Sequence, residues 1–429
     1  MNKPIHVLVL GYVWPEPNSS AAGKHMLSLL NTFQQAGWHI TFASPAVQGD
    51  HKIDLTAMGI SEHTIALNCS SFDVFIQQLQ PDIVLFDRFM LEEQFGWRVA
   101  QHCPNALRIL DTEDLHSLRN ARHQALKQER ELNTTDFNSE LAKREVAAIF
   151  RCDLALIISD FEYRLLQEHY QVPARLLLHL PFMLALSHLT ENVLPYDQRQ
   201  HFICMGNFRH EPNWDAVLWL KNTIWPLIRK NLPQAELHVY GAYPPPKATQ
   251  LHNIKQGFLI KGWAQDAEQV MKHAKVCLAP LRFGAGIKGK LSEAMLCGTP
   301  SVTTTIGTEG MGHASQKTIN PLGLQWPGAS IDFDVARQDK TARAFAEAAV
   351  ALFQDQKRWQ ACQRLGFSWL EQHFDQRQIS PSLLARINEL LLNLNKHRGH
   401  NFIGQMLQHH QFKSTQYMAQ WIEAKNKPR

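Results

Sequence analysis

Residues 278–300 read LAPLRFGAGIKGKLSEAMLCGTP, and the rest of the sequence is interpreted outward from this stretch. The apolar run that ends at residue 279 predicts a buried strand, and the residues after it predict a loop and then a short helix stopped by a glycine and a proline. Glycines let the backbone approach a ligand closely, and amide groups at the start of a helix attract negative charge. Because Lys288 and Lys290 add ammonium groups to the same loop, the stretch predicts a site for a phosphate or a diphosphate.

A carboxylate lies close to the predicted phosphate site. Glu293 comes one helical turn after Lys290, so the two side chains share one face of the predicted helix. A carboxylate accepts hydrogen bonds from hydroxyl groups such as those of a ribose. A phosphate site with a carboxylate at its edge is the arrangement that a nucleotide-sugar pocket requires.

Two flanking segments extend this pattern. Residues 205–216 read MGNFRHEPNWDA, and residues 303–310 read TTTIGTEG. Together with residues 278–300, they resemble the donor-binding half of glycosyltransferase family 4, the group 1 glycosyl transferases. The resemblance extends over most of the chain and implies an α/β protein of the GT-B fold, with two doubly wound, Rossmann-like parallel-sheet domains facing a central cleft. It also implies a retaining transferase of the hexosyltransferase type, which keeps the anomeric configuration of the donor sugar.

Two features depart from the family's pattern. The family usually has two glutamates eight residues apart, and the position eight residues before Glu293 is Ala285. An arginine and a lysine that often follow the first strand of this half are replaced by Asn207 and Asn213. The resemblance therefore implies the ribose contact for Glu293 and leaves the role of the first glutamate, a contact with the transferred sugar, unassigned.

We infer that Lys288 and Lys290, with Arg209, supply the positive charge that the missing pair normally gives. Arg209 either contacts the diphosphate or is an ordinary surface arginine. Trp263 follows another predicted strand and either stacks on the nucleobase or packs between helix and sheet, as tryptophans more often do. The residues that we expect at the donor are Gly23, Gly206, Asn207, Arg209, Trp263, Gly284, Ala285, Gly286, Ile287, Lys288, Lys290, Leu291 and Glu293.

The composition limits the class of protein. A chain of 429 residues with 45% hydrophobic and 19% charged residues is long enough for two sizeable cores. A net charge of +4 favours an anionic ligand or an anionic membrane surface and is too small to imply nucleic acid. The seven cysteines are scattered and form no metal-binding pair, which is typical of a reduced cytosolic protein. We expect no signal peptide and no membrane-spanning helix, and therefore a cytoplasmic location.

Short apolar runs alternate with helical patterns along the chain, and this alternation predicts parallel sheets covered on both faces. We expect an acceptor-side domain over residues 1–187 and a nucleotide-sugar-binding domain over residues 200–375. A crossover helix and a basic amphipathic tail are expected over residues 376–429. The expected strands lie near residues 5–10, 39–44, 82–86, 106–110, 154–158, 175–178, 201–205, 235–240, 257–261, 276–279 and 300–303.

Several segments of the first domain are candidates for the cleft. The loop 11–24, with Gly23, either approaches the donor phosphates and the acceptor or is an ordinary capped loop. In residues 111–122, His116 is expected to hydrogen-bond a sugar hydroxyl or an acceptor group, whereas the two arginines either bind an anion or form structural ion pairs. Residues 120–150 predict one long charged helix. Residues 159–162 predict a capped helix start, with an acceptor role left open.

The predicted catalytic residues are His116, Lys288 and Glu309. Glu309 follows the strand near 300–303, where its carboxylate is expected to contact the transferred sugar in place of the glutamate absent at Ala285. No Asp-x-Asp triplet lies in a suitable loop, so we expect ammonium groups and amides rather than a metal ion to stabilise the leaving diphosphate.

The apolar residues of the tail 395–429 either rest on an anionic inner membrane leaflet or, as is more common, pack on the protein.

These patterns predict a glycosyltransferase that uses a nucleotide-diphosphate sugar as co-substrate and needs no cofactor. The acceptor is a glycan, a lipid-linked intermediate or a protein, and polysaccharide or lipopolysaccharide synthesis is the expected setting. Two alternatives stay open. One is a GT-B sugar-nucleotide epimerase or phosphorylase, and the other is a non-catalytic nucleotide-sugar binder.

Overall fold

The computed structural model describes residues 4–187, 189–191, 193–312 and 322–426. Its strands form two sheets, and within each sheet every described pair of neighbouring strands is parallel. The seven strands of the first sheet are β1 (His6–Leu10), β2 (His39–Ser44), β3 (Ser61–Thr64), β4 (Ile83–Asp87), β5 (Leu107–Asp111), β6 (Leu154–Ile157) and β7 (Leu177–His179). The six strands of the second sheet are β8 (Phe202–Met205), β9 (Leu237–Tyr240), β10 (Phe258–Gly262), β11 (Val276–Ala279), β12 (Ser301–Thr304) and β13 (Gly328–Ile331).

Both sheets are doubly wound, and this confirms the predicted fold class. The strand order is β3-β2-β1-β4-β5-β6-β7 in the first sheet and β10-β9-β8-β11-β12-β13 in the second. In each sheet the order reverses beside the first strand, between β1 and β4 and between β8 and β11. Sheets of this kind bind ligands at that reversal, beyond the carboxyl ends of the strands.

Helices cover both faces of the two sheets. In the first domain they are α1 (Ala21–Gln35), α2 (Ser71–Leu79), α3 (Phe89–His102), α4 (His116–Lys127), α5 (Glu140–Arg151) and α6 (Asp160–Glu168). Those of the second domain are α7 (Glu211–Trp219), α8 (Trp225–Asn231), α9 (Pro246–Thr249), α10 (Ala267–His273), α11 (Gly289–Leu296), α12 (Thr305–Thr308), α13 (Gln338–Gln354) and α14 (Gln356–His373). The chain ends with α15 (Gln376–Gly399) and α16 (Phe402–Asn426).

Each expected strand is present, but β3 and β13 were not expected from the sequence. The prediction of one helix over residues 120–150 was wrong, because α4 ends at Lys127 and α5 begins only at Glu140. Two residues between α4 and α5 cap the starts of new helical segments, and this favours separate helices over one continuous helix. The side chain of Asn133 caps a short 3₁₀ turn, and that of Ser139 accepts a hydrogen bond from the backbone N–H of Ala142 at the start of α5.

Helix α15 returns to the first domain. Its buried residues Leu383, Ile387 and Leu390 lie in the same apolar cluster as Val7 of β1 and Ile83 of β4. A helix that follows the second domain in the sequence therefore completes the core of the first domain.

Helix α16 lies along α3 and α5. At Gly404 the approach is so close that a Cβ atom would lie 2.1 Å from the carbonyl oxygen of Phe150, and Ala419 packs against Trp97. The expectation that the apolar residues of the tail pack on the protein holds for this face only. Among the described side chains of α16, six large apolar ones are exposed, namely Phe402, Ile403, Met406, Tyr417, Met418 and Trp421. No helix in the described part of the chain is both long enough and apolar enough to cross a membrane.

The packing of α15 predicts a position-dependent stability change. Leu383→Ala should lower the free energy of unfolding by about 2–5 kcal/mol, because it removes a fully buried side chain from the core of the first domain. Leu392→Ala is the matched control on the same helix, since Leu392 is 85% exposed and its loss should change stability little. Urea denaturation of both variants measures the difference, and equal destabilisation would contradict this packing.

Candidate functional site

A cleft of about 730 Å³ lies between the two domains. Its walls are the loops that follow β1, β4 and β5 in the first domain and β8, β9, β10 and β11 in the second. The carboxyl ends of both sheets therefore meet at one cavity, whose volume is in the range usual for small-molecule sites.

The Gly- and Lys-rich loop 284–290 forms part of the wall. Gly284 and Gly286 have φ angles of 151° and 64°, a region that glycine adopts easily and other residues do not. Lys288 Nζ donates a hydrogen bond to the carbonyl oxygen of Gly286 at 2.6 Å, and Lys290 Nζ donates to Asn213 Oδ1 at the same distance. Both lysines line the cleft. Burial lowers the pKa of each ammonium group, although the nearby Glu309 carboxylate opposes this effect at Lys288.

Asn207 and Asn213, which stand where the resemblance led us to expect cations, help to hold Lys290. Asn213 Nδ2 donates to the carbonyl oxygen of Asn207 at 3.0 Å, which fixes the amide that accepts from the Lys290 ammonium group. A bulkier residue does not fit beside this amide, because a Cβ atom at Gly206 would lie 2.6 Å from Asn213 Nδ2.

Two residues of the predicted donor set lie outside the cleft lining. The backbone N–H of Gly286 donates to Glu162 Oε1 of the first domain at 2.7 Å, so this amide is not available to a phosphate. Leu291 is fully buried in an apolar cluster together with Ile287 and Phe182. The other predicted donor residues, from Gly23 to Glu293, all line the cleft.

Glu293 faces the cleft and is paired across it. Lys24 Nζ lies 2.7 Å from Glu293 Oε1 and belongs to the first turn of α1 in the opposite domain. Gly23, the preceding residue, is packed so tightly that a Cβ atom would lie 2.5 Å from the backbone of Glu16. Ser20 also caps α1 by accepting a hydrogen bond from the N–H of Gly23, so the loop is both capped and part of the cleft.

His116 lines the cleft at the start of α4. Burial lowers its pKa to about 4, so the imidazole is neutral at pH 7 and its ring nitrogens can donate to and accept from hydroxyl groups. Burial also disfavours the charged form of Asp114, but the positive groups around it, chiefly the Arg119 guanidinium, together outweigh burial and lower the pKa of Asp114 to about 2. Arg119 therefore makes the structural ion pair that was one of its two predicted roles.

Glu309 does not line the cleft, and this corrects its predicted position. Both of its carboxylate oxygens accept hydrogen bonds from Arg122, each at 2.7 Å. Arg122 also donates to the carbonyl oxygen of Gly284 at 2.8 Å. A bidentate ion pair with little solvent exposure has a well-defined orientation. Glu309 therefore links the two domains through Arg122, and its carboxylate is not free to contact a ligand.

The other rim of the cleft carries aromatic contacts between the domains. Trp263 stacks on His51 with ring centroids 3.8 Å apart and an interplanar angle of 6°, an arrangement that neither predicted role included. The Arg209 guanidinium lies 3.8 Å from the centre of the Tyr243 ring, whose hydroxyl group donates to the Glu16 carboxylate at 3.1 Å. Arg209 therefore lies in the cleft, stacked on an aromatic ring.

A charged cluster lies at the floor of the first domain, at the ends of β4 and β5. Arg88 and Glu113 both have positive φ angles, 70° and 59°. Burial is the main reason why the pKa of Glu113 is raised, to about 8. Burial disfavours the charged form of His25, but the carboxylates around it, chiefly that of Asp111 at 3.6 Å, together outweigh burial and raise the pKa of His25 to about 9. Neither His25 nor Glu113 was singled out from the sequence.

Sequence reasoning also missed Lys24, Glu16 and Glu162. Lys24 and Glu16 belong to the loop that was identified, and a charge beside Gly23 was the available signal. Glu162 was assigned to an ordinary helix start. In the part of the chain that the structure describes, no group of three or more His, Cys, Asp or Glu side chains is arranged to hold a metal ion.

Two doubly wound domains that face each other across a cleft define the GT-B class of fold. Residues 199–355, most of the second domain, match the family described as glycosyl transferases group 1. The second half of the chain therefore contains a group 1 glycosyl transferase domain. No sequence among curated proteins matches the chain.

Solved structures agree with the fold. A glycosyltransferase from Rickettsia africae is 12% identical, with a TM-score of 0.63 over 91% of this chain and 100% of that one. A sucrose-phosphate synthase from Thermosynechococcus elongatus is 16% identical, with a TM-score of 0.62 over 90% and 99%. The Anabaena protein HepE in complex with UDP and glucose is 12% identical, with a TM-score of 0.61 over 89% and 99%. At such identities the likeness establishes the fold.

The burial of His116 predicts a low titration midpoint. Its ring should lose its proton near pH 4, because burial, Arg119 and Arg88 all disfavour the charged form and Asp114 compensates only in part. A histidine NMR titration measures this midpoint once the signal has been assigned by its loss in His116→Gln. A midpoint near the ordinary value of about 6.5 would contradict the buried, neutral imidazole.

Proposed function

We propose that this protein is a glycosyltransferase that moves a sugar from a nucleotide-diphosphate donor to an acceptor. One observation carries the proposal, namely that Lys288 and Lys290 line the cleft together with the Glu293 carboxylate, inside the segment that matches the group 1 family. The two ammonium groups suit a diphosphate, and Glu293 suits the ribose hydroxyls.

The chemistry follows from the charges that develop during transfer. Cleavage of the anomeric C–O bond leaves negative charge on the departing diphosphate, and donors aimed at that charge lower the barrier. In our proposal Lys288 and Lys290 do this with the backbone amides that begin α11, and the reaction needs no metal ion. His116, as a neutral imidazole, hydrogen-bonds a hydroxyl group of the transferred sugar or of the acceptor.

We further propose that the sugar keeps its anomeric configuration. In this mechanism no protein side chain acts as a nucleophile, and the acceptor attacks from the side that the diphosphate leaves. The family resemblance supports this proposal. The oxygens of Glu309 are both engaged by Arg122, so Glu309 is not assigned a contact with the sugar.

The donor base is best sought first among uridine nucleotides, since HepE, which shares the fold, is in complex with UDP and glucose. The acceptor in our proposal is a glycan, a lipid-linked intermediate or a protein, as part of polysaccharide or lipopolysaccharide synthesis.

We also propose that the protein is cytoplasmic and touches the inner membrane leaflet through the exposed face of α16. Residues 395–429 contain six lysines and arginines but one glutamate, and six large apolar side chains of α16 are exposed. Apolar residues beside cationic ones suit an anionic lipid surface.

Donor binding tests the proposed function. UDP-sugars, GDP-sugars and ADP-sugars are screened by thermal shift, since a ligand that binds the folded state raises the melting temperature. Lys288→Gln should weaken binding of the active donor by roughly 10- to 100-fold, because a charge-assisted hydrogen bond to the diphosphate is lost. Calorimetric titration with that donor measures the change.

The matched control is Lys255→Gln, which removes an exposed lysine of the same domain and should leave the affinity unchanged. With an acceptor in hand, the anomeric proton of the product reports retention, and excess chelator should not slow transfer. Turnover of the donor without acceptor into another nucleotide sugar would instead indicate an epimerase, and donor binding without hydrolysis or transfer would indicate a non-catalytic binder.

Membrane contact is tested with vesicles. The protein should co-sediment with vesicles of phosphatidylglycerol and less with those of phosphatidylcholine, and the double change of Tyr417 and Trp421 to serine should reduce this binding severalfold. Ile254→Ser, at an exposed apolar residue of the second domain, is the control. Equal binding by all variants, or a dimer that only the double variant abolishes, would contradict the membrane proposal.

A further inference from the structure

The segment 158–162 of the first domain, together with Asp114, forms a recess that receives two loops of the second domain. We call this recess the socket. A Cβ atom at Gly286 would lie 2.8 Å from Asp114 Cβ and 3.0 Å from Ile158 Cδ1. A Cβ atom at Gly310 would lie 2.5 Å from Ser159 Oγ. Both loops enter the socket at glycines because no side chain fits there.

Glu162 forms the polar base of the socket. It is fully buried, and its Oε1 atom accepts two backbone hydrogen bonds. The N–H of Leu115, in its own domain, donates at 3.2 Å, and the N–H of Gly286, in the opposite domain, donates at 2.7 Å. The shorter bond therefore crosses between the domains.

A chain of hydrogen bonds links Glu162 to the cleft. The peptide N–H of Gly286 donates to Glu162, and the carbonyl oxygen of the same residue accepts from the Lys288 ammonium group at 2.6 Å. Gly286 has a φ angle of 64°, so its two polar groups are held in an orientation that few other residues adopt. The position of the Lys288 ammonium group thus depends on a carboxylate of the other domain.

A purely structural role for Glu162 would be to cap the start of α4 through Leu115. That role accounts for the longer hydrogen bond, from Leu115, but not for the shorter one, from Gly286. The capping of α4 is already supplied by Glu145, which accepts from the N–H groups of His116 and Ser117 at 2.9 and 3.0 Å. Glu162 is therefore not needed for that helix start.

We propose that Glu162 is a positioning residue for sugar transfer, which holds the loop 284–288 so that Lys288 faces the leaving diphosphate. The inference rests on the proposed function. It means that the diphosphate site is complete only when the two domains are closed on each other, because one of the groups that shape it belongs to the first domain. Glu162 does not line the cleft, so it acts through Gly286 and Lys288.

Two variants test the role. Glu162→Ala removes the acceptor of the Gly286 N–H, and kcat should fall by about 10- to 100-fold with a smaller change in the donor KM, since a misplaced Lys288 affects the transition state more than donor binding. Glu162→Gln keeps an acceptor oxygen and should restore most of the rate. Hydrogen exchange should rise in the peptide that contains residues 284–290 in the alanine variant and remain low in the glutamine variant.

The matched control is Asp153→Asn. Asp153 is a buried carboxylate at the opposite end of β6, where Arg398 Nη2 lies 2.7 Å from Oδ2. Its change should lower stability without altering kcat or exchange at residues 284–290. Wild-type kcat and wild-type exchange in Glu162→Ala would overturn the inference, as would equal losses in Glu162→Ala and Asp153→Asn.

The failure of the proposed function gives a different result. If wild-type protein binds and turns over no nucleotide sugar, the transfer role of Glu162 fails with it. Exchange at residues 284–290 in Glu162→Ala still decides whether the carboxylate holds the loop.

Discussion

The rest of the site depends on two ammonium groups that line the cleft, that of Lys288, which is buried, and that of Lys290, which is partly buried. Lys288 donates to a carbonyl oxygen and Lys290 to an amide oxygen, and the described residues give neither ammonium group a salt bridge. Removing a charge from water is unfavourable unless an opposite charge replaces the lost hydration. Burial lowers the pKa of both groups for the same reason, because the charged form is the one that loses hydration. An anion that enters the cleft would relieve this penalty, and this supports the diphosphate site of the proposed function.

The sequence predicted the parts of the fold whose apolar pattern is local. Strand β11 is a fully buried run of apolar residues, and β4 is one from Ile83 to Phe86, a pattern that exposed loops do not show. Strand β3 is mostly exposed and entirely polar, so it exists only because the edge of β2 supplies hydrogen bonds. Strand β13 begins at a glycine whose Cβ would lie 1.8 Å from the carbonyl oxygen of Ser301, and close approach to a neighbour has no local signal. Tertiary pairing, rather than propensity, forms both strands.

The same division applies to the site. The residues of the loop 284–290 were identified because their glycines and lysines are adjacent in sequence. The contacts that close the cleft join residues far apart, with Lys24 and Glu293 separated by 269 positions, Arg122 and Glu309 by 187, and Glu162 and Gly286 by 124. No spacing rule links such residues. The charges of Glu309 and Arg122 were both visible in the sequence, but their pairing between the domains was not.

Charge balance across the cleft links the ion pair of Glu293 to the proposed donor. Lys24 neutralises Glu293 from the opposite domain. In the proposed function the ribose hydroxyls approach the same carboxylate, and they share it with Lys24 or displace it. Lys24 also lines the cleft, so a displaced ammonium group stays beside the diphosphate, where its charge is again opposed. Donor binding in the proposed function then replaces the Lys24–Glu293 ion pair by a pair with the diphosphate, while another contact between the domains, Arg122 with Glu309, takes no part in this exchange.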